Sequence, residues 1–457
     1  MKAETFKPSS SLISIYCIVL ISIYCYLNIA KWRKNDVIKN DTISYYAYLP
    51  ATFIYHDISL NFLNDSSSTK KVEMWPEKAP NGKNVIKTSM GVAFFYAPLF
   101  IAAHTCAQVL NYASTGYSQI YHLFIGFTSA LYLFLGLLFL RKILLRYFSD
   151  TITTFTIIII TLATNMLYYF TVDTVNTHII NFFLINCFLF FTIKWHEDQK
   201  IKFVIALGII LGFITLTRPV NTLVVLLFLF YNIHDLNSLK EKICLIRNHF
   251  FHLLLVPFLT LLVFLPQLLY WKMQTDHYFF NSYVGESFYF FNPHILEGLF
   301  SYRKGWLIYT PIMILFFAGL FFMSELVKKW RIAIILFYVF ITYILFSWWC
   351  WWYGGSFGLR AYIDFYGLFA IPIAAITHKA VCSRKIYRSL LLVVYCVFCL
   401  LNITQTYQSK RNIIHYDSMT RKKYWAVFLQ FGNQTDDSNY LLKIPDYDKA
   451  RQGLDEY

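Results

Sequence analysis

The chain has 457 residues, of which 57% are hydrophobic and 20% aromatic but only 14% charged, and its mean hydropathy is +0.48. A water-soluble chain carries about a quarter charged residues to wet its surface, so this composition excludes an ordinary soluble enzyme or binding domain. The net charge of +15 does not point to nucleic acid, because the basic residues are scattered between apolar runs, where they orient a membrane protein.

The first apolar run, near 12–30, has charged residues on both sides and no small-residue cleavage site, so it reads as an uncleaved first helix. The stretch 32–118 then reads as a large outer loop. Inside it, 89–111 is hydrophobic enough to span, yet it carries Pro98, His104 and Gln108 and fits a helix lying in the outer interface. Further runs follow at roughly 119–140, 151–170, 177–193, 203–217, 219–233, 250–270, 306–326, 332–349, 361–378 and 389–407. Five short basic loops separate them. They carry Arg141, Lys142 and Arg146; Lys194, Lys200 and Lys202; Lys240, Lys242 and Arg247; Lys328, Lys329 and Arg331; and Lys379, Arg384, Lys385 and Arg388.

If all five loops are cytoplasmic, an even number of crossings must separate each from the next. That requires the short runs 203–217 and 219–233 to form a helical hairpin turning at Arg218-Pro219. The expected fold is therefore an all-α polytopic membrane protein of about eleven transmembrane helices. Its first outer loop carries interfacial helices, its N-terminus lies inside and its C-terminus outside. Residues 1–407 form the transmembrane domain, with further outer loops at 271–305 and 347–360, and 408–457 form a short polar outer tail. No internal repeat or second soluble domain is visible, and the nine cysteines read as unpaired packing thiols.

Candidate chemistry gathers on the outer side. In the segment from Asp41 to Pro50, the positions of Asp41, Tyr45 and Tyr48 share one face of a short helix, and Pro50 disfavours its continuation beyond Leu49. A carboxylate beside aromatic rings at the membrane surface suits a general base. The same Asp41 would also make a good N-cap, with the tyrosines as an interfacial belt. Asp57, beside His56, is a reserve candidate. Arg218, Arg303, Lys304 and Arg360 fall near outer helix ends, where a cation can meet a phosphate or simply snorkel to headgroups. Arg360 closes Trp348-Trp349-Cys350-Trp351-Trp352-Tyr353-Gly354-Gly355-Ser356-Phe357-Gly358-Leu359, a loop with aromatic platforms and flexible glycine. Asp173, Asn176 and His178 share another outer turn; they read as metal ligands or as satisfied polar residues at helix ends. The Asp446-Tyr447-Asp448 triplet in the tail reads as chance.

Asp41-x-x-x-Tyr45-Tyr46-x-Tyr48-Leu49-Pro50, with the following loop and the amphipathic stretch from Lys87 to 119, resembles membrane glycosyltransferases of the GT-C class. Within it, the chain is most similar to the bacterial protein-mannosyltransferase and aminoarabinose-transferase type. The resemblance implies a first-loop aspartate as catalytic base, here Asp41, interfacial helices over the membrane, and a polyprenyl-phosphate sugar as donor. It places Lys87 where the class has a phosphate-contacting lysine. Tyr45, Tyr46, Arg218, Arg303, Tyr353 and Arg360, by their places on the outer side, are the further donor-binding candidates. Thr42 stands where the class has the second residue of an Asp-Glu pair, and Lys87-Thr88-Ser89 replaces a Lys-Pro-Pro run, which leaves a divalent metal open. The expected activity is sugar transfer to an envelope lipid, glycan or protein on the outer face of a bacterial cytoplasmic membrane. Membrane lipid is a partner and nucleic acid is not. An O-antigen ligase or polymerase usually carries its large outer loop late in the chain. A lipid-linked saccharide flippase or transporter would show repeats and midplane charges. Both stand as alternatives.

Overall fold

The computed structural model describes residues 9–64, 74, 76–324, 327–432 and 436–454. The chain is an all-α polytopic membrane protein. In order, its helices are α1 (Ser10–Ile29), α2 (Asp41–Phe53), α3 (Gly91–Val109), α4 (Gln119–Leu144), α5 (Asp150–Leu162) and α6 (Met166–Thr171). They continue with α7 (Thr177–Asp198), α8 (Ile201–Thr217), α9 (Pro219–Phe230), α10 (Leu236–Asn248), α11 (Phe250–Thr275) and α12 (Ile295–Phe300). The last are α13 (Pro311–Leu320), α14 (Lys328–Phe346), α15 (Arg360–Val381), α16 (Lys385–Lys410), α17 (Arg421–Val427) and α18 (Tyr447–Arg451). Among the described residues the one sheet is a hairpin of β1 (Glu77–Lys78) and β2 (Asn84–Val85), antiparallel with Glu77 opposite Val85.

Eight helices among the described residues are long and apolar enough to cross a membrane, and four shorter apolar ones accompany them. Seven of the eight, all but α3, and the four short ones run between two ends of the bundle. One end gathers the basic loops. There Arg146 pairs with Glu197, Lys242 contacts the His196 ring and donates to the Phe228 carbonyl at 2.7 Å, and Trp330 donates to the Tyr147 hydroxyl at 3.3 Å. The His378 ring packs on Phe148 at the same end. The opposite end, called the site end below, gathers Asp41, His178, Arg218 and Arg360. The Arg218-Pro219 turn reverses the chain at the site end, and α9 returns to the basic end, as the hairpin reading requires.

With lipid on the outside, helices gain little from hiding apolar surface and must pack closely instead. Gly208 and Gly212 on α8 let α11 come so near that an added Cβ would meet Leu259 Cβ at 2.9 Å and Val263 Cβ at 2.7 Å. Helices α7 and α15 form the buried centre, while α1, α11 and α16 lie on the periphery with most of their surface outward. All nine cysteines are free.

Helix α3 is roughly 28 Å long, enough to span, yet its partners sit at or near the site ends of their helices. Gly91 rests on the Leu216 backbone and Phe95 meets Phe213. The Phe95 carbonyl accepts from Tyr132, one turn after the break between Ile125 and Thr128 that divides α4, and His104 contacts Tyr121 near the start of α4. Those contacts lay it across the site end. Helix α2 departs from expectation by running through Pro50 to Phe53. Its last turn survives because the Ile54 and Tyr55 amides both bond the Pro50 carbonyl, at 3.0 and 2.9 Å.

The stretch expected as a polar tail is folded. Helix α16 reaches Lys410, and beyond it Ile413, Ile414, Met419, Tyr424 and Val427 pack with Tyr309 and Phe357 in a small core of their own. These residues follow no helical or strand period, so the sequence pattern does not display them.

If α3 lies across the site end, topology reporters inserted at Gly82 and after Asn111 will report the same side of the membrane. A reporter after Arg146 will report the other. Finding Asn111 and Arg146 on one side would overturn this arrangement.

Candidate functional site

Asp41 opens α2 but does not cap it. Asn40 takes the N-cap position without a side-chain bond, and the Asp41 carboxylate turns outward. Its Oδ2 accepts from Arg360 Nη2 at 3.2 Å, with the Asp41 side chain 66% exposed and that of Arg360 23%. Arg360 begins the 3-10 turn Arg360–Phe365 that forms the start of α15. The base candidate and the arginine behind the tryptophan loop are therefore one ion pair, from segments more than three hundred residues apart.

Arg218 enters beside them. It terminates α8 in an extended conformation, φ −151° and ψ 104°, because Pro219 disfavours a helical residue before it. Its guanidinium lies 5.8 Å from the Tyr353 ring centre, and Nη1 donates to Asp364 Oδ2 at 3.2 Å. Asp364 is wholly buried. Its carboxylate also accepts from Asn221 Nδ2 at 2.7 Å and from His178 Nδ1–H at 2.7 Å. The Asn176 side chain caps α7, accepting from the His178 and Ile179 amides and so fixing the start of the helix that carries His178.

The third wall comes from loops. Lys87, just after β2, pairs with Glu286 at 2.7 Å and with Glu77 at 3.7 Å, and sits 5.3 Å from the Tyr283 ring centre. Trp349 donates to the second oxygen of Glu286 at 2.9 Å. Tyr45 and Tyr283 both feel the charges of Asp41, Arg218 and Arg360, so these groups lie in one cluster. Burial pushes the Tyr283 phenol up to about 12 and raises that of Tyr45 as well, so both are neutral donors at neutral pH. Asp173, in the turn before α7, has its carboxyl raised by burial, with Lys31 and Arg360 opposing.

Of the sequence candidates, the structure brings together Asp41, Tyr45, Lys87, Arg218, Tyr353 and Arg360. Tyr46 points away: its hydroxyl donates to the Gly116 carbonyl and its ring packs edge-on to Phe100 and Tyr117. Asp57 is occupied by its own loop, accepting from the Ser59, Asn61 and Phe62 amides at 3.0, 2.7 and 3.2 Å. Arg303 donates to the Asp417 carbonyl at 2.9 Å and lies over Trp352, while Lys304 donates to the Ser356 and Tyr416 carbonyls. Both therefore fasten the folded C-terminal cap. Asp446 accepts from the Asp448 and Lys449 amides and caps α18. Among the described residues no group of three or more His, Cys, Asp and Glu side chains converges to hold a metal ion.

Sequence reasoning missed Asp364, Asn221, Tyr283 and Glu286. Asp364 offered a signal, being a carboxylate at the edge of an apolar run. The other three offered none, because Asn221, Tyr283 and Glu286 gain their roles only from residues distant in the chain.

No family model and no curated protein matches the chain. Among solved structures it is similar to the Archaeoglobus fulgidus oligosaccharyltransferase in complex with Zn and sulfate, with 14% identity and a TM-score of 0.47. That similarity covers 94% of this chain and 57% of the other. It is also similar to the oligosaccharyltransferase AglB of that organism in complex with an inhibitory peptide and a dolichol-phosphate. There the identity is 14% and the TM-score 0.44, over 95% of this chain and 60% of the other. The chain thus spans less than two thirds of the length of either protein.

The cap closes over the tryptophan loop through Asp417 and Tyr447. Burial opposes ionisation of Asp417, but hydrogen bonds from His415, Ser418 and Tyr447 hold its carboxyl down at about 2 against an ordinary 3.8. A depressed acid stabilises above its ordinary value, so this contribution is complete above pH 4 and fades as pH falls toward 2. At neutral pH only substitution reveals it. Asp417→Asn should speed proteolytic cutting within 411–454 while leaving the helical bundle intact; an unchanged rate would assign the hold to the small apolar core alone.

Proposed function

We propose that the chain is a GT-C glycosyltransferase that moves a sugar from a polyprenyl-phosphate donor to an acceptor hydroxyl at the site end of the bundle. That end faces the outer side of the cytoplasmic membrane, because the basic loops collect at the other. The observation that carries the reading is the Asp41–Arg360 pair, clustered with Arg218 around Tyr45 and Tyr283, the Tyr283 ring lying under Lys87. Sugar transfer from such a donor needs a base for the acceptor and cations for the departing phosphate, and this cluster offers both.

In this reaction Asp41 accepts the acceptor's proton as its oxygen attacks the anomeric carbon. The bond from that carbon to the phosphate oxygen breaks, and the electron pair leaves with the phosphate. Arg360 and Arg218 stabilise the charge that develops there. Before donor binds, Arg360 screens Asp41. An incoming phosphate competes for the guanidinium and loosens its hold on the carboxylate, so the base becomes available only once the donor is in place. Lys87 is already held by Glu77 and Glu286, and its part is to fix the Tyr283 loop against the cluster. Tyr45, Tyr283 and Tyr353 supply neutral rings and hydroxyls against which a sugar can rest.

Asp41→Asn retains size and removes basicity, so transfer should fall by about two orders of magnitude or more at normal membrane levels. Asp57→Asn is the control and should keep near wild-type transfer, since its carboxylate serves its own loop. Normal sugar transfer by the Asp41→Asn protein would remove Asp41 from the chemistry. Arg360→Lys preserves the charge but not the planar fork, and should weaken donor use about tenfold. Full activity of the Arg360→Lys protein would reduce Arg360 to an interfacial anchor.

A further inference from the structure

We infer that Asp364 is a positioning residue, holding Arg218 beside Asp41 and Arg360 so that its guanidinium can grip the donor phosphate. The inference rests on the proposed transfer reaction and adds a residue that touches neither substrate.

A carboxylate with no exposed surface, at the edge of an apolar span, is retained only where its partners compensate its desolvation. Asp364 has three, and each comes from a different element: His178 from α7, Arg218 from the end of α8, and Asn221 from the start of α9. Two of these could be served by a neutral amide. Arg218 is the partner that calls for a negative charge, and its side chain is not sealed, being 16% exposed.

Arg218 needs such an anchor. It stands at a break in the backbone, after the last helical residue and before Pro219. A long flexible side chain there would lose entropy each time it met a ligand. Asp364 and His178 lie on one side of the guanidinium, with Nη1 at 3.2 Å and 3.3 Å from them, and the Tyr353 ring faces it.

Asp364 also lies four residues after Arg360 on the same short 3-10 turn. That turn therefore sets two guanidiniums at once, Arg360 through its own backbone and Arg218 through the Asp364 carboxylate. The two cations keep a fixed relation because one rigid segment governs both.

The test measures binding of polyprenyl monophosphate, the product common to any sugar donor of this kind, to the full chain in nanodiscs. Wild type, Asp364→Asn, Arg218→Ala and the double variant are compared, with thermal unfolding as the check on folding. Asp364→Asn should raise Kd about tenfold in protein that still inserts and unfolds in one cooperative transition, although at a lower temperature. Arg218→Ala should raise it further, and the double variant should bind no more weakly than Arg218→Ala alone. A purely structural role would instead multiply the two effects, and wild-type affinity in Asp364→Asn would equally overturn the inference. Should the Asn variant fail to insert, Asp364→Glu moves the charge by one methylene. It should weaken binding in the wild-type background and add nothing to Arg218→Ala. Absence of binding by the wild type itself would count against the proposed function, whereas wild-type binding with an indifferent Asp364 counts against this inference alone.

Discussion

Because ionised side chains are expelled from hydrocarbon, the chain can keep its charges only at the two ends of the bundle or in fully partnered buried clusters. The basic loops occupy one end, where Arg146 meets Glu197 and Lys242 meets His196. The other end holds the mixed set of Asp41, Lys87, Arg218, Asp364 and Arg360. That sorting orients the helices and sends α9 back from Arg218. It also lets an apolar helix such as α3 lie across the bundle without a loop charge being dragged through lipid. The cluster is a consequence of the same rule, since residues that cannot enter the membrane collect where the helices stop.

The site is consequently made of helix ends. Asp41 starts α2, His178 lies in the first turn of α7, Arg218 ends α8, and Arg360 starts the turn that opens α15. Helix ends carry unpaired backbone groups and irregular geometry, so their side chains can turn inward where mid-helix positions would face lipid or core. The loops contribute more weakly individually but close the walls. Glu286 ties Lys87 and Trp349 together, and the cap reaches Trp349 and Trp352 through the Tyr447 ring.

What the sequence made legible follows the same logic. Apolar length and loop charge led to the crossings, including the awkward pair around Arg218-Pro219, because those signals arise from the solvent itself. Asp41, Arg218 and Arg360 stood out as charges beside helix ends, each with an N-cap or snorkelling role as a rival reading, and Lys87 stood out through the resemblance; their convergence depends on tertiary contacts. The same rule also selected Asp57, Arg303 and Lys304, whose charges are taken by loop amides and cap carbonyls; such pairings depend on tertiary contacts that no local pattern displays. Helical spacing put Tyr45 and Tyr48 on the Asp41 face, yet the Tyr48 hydroxyl donates to the Thr88 carbonyl and its ring meets Tyr270. Tyr46 faces the core entirely. The folded cap escaped notice because its small core draws on residues without a period and on two aromatic rings from elsewhere.

Two carboxylates at one end of the bundle have opposite physical situations, and the difference bears on how such a site works. Asp41 is 66% exposed in its pair with Arg360, so in the proposed reaction water weakens the attraction that a competing phosphate would have to replace. Asp364 is sealed from water, and removing one partner from a buried ion pair costs about 3–5 kcal/mol, so its hold on Arg218 does not exchange. If both arginines were paired loosely, the phosphate would have to order two long side chains on arrival. If both were held as Asp364 holds Arg218, Asp41 would have no guanidinium to give up when the donor binds. In the proposed reaction, a fixed cation beside an exchangeable one would give the donor phosphate a prepared place to bind and, through its competition for Arg360, a way to uncover the base.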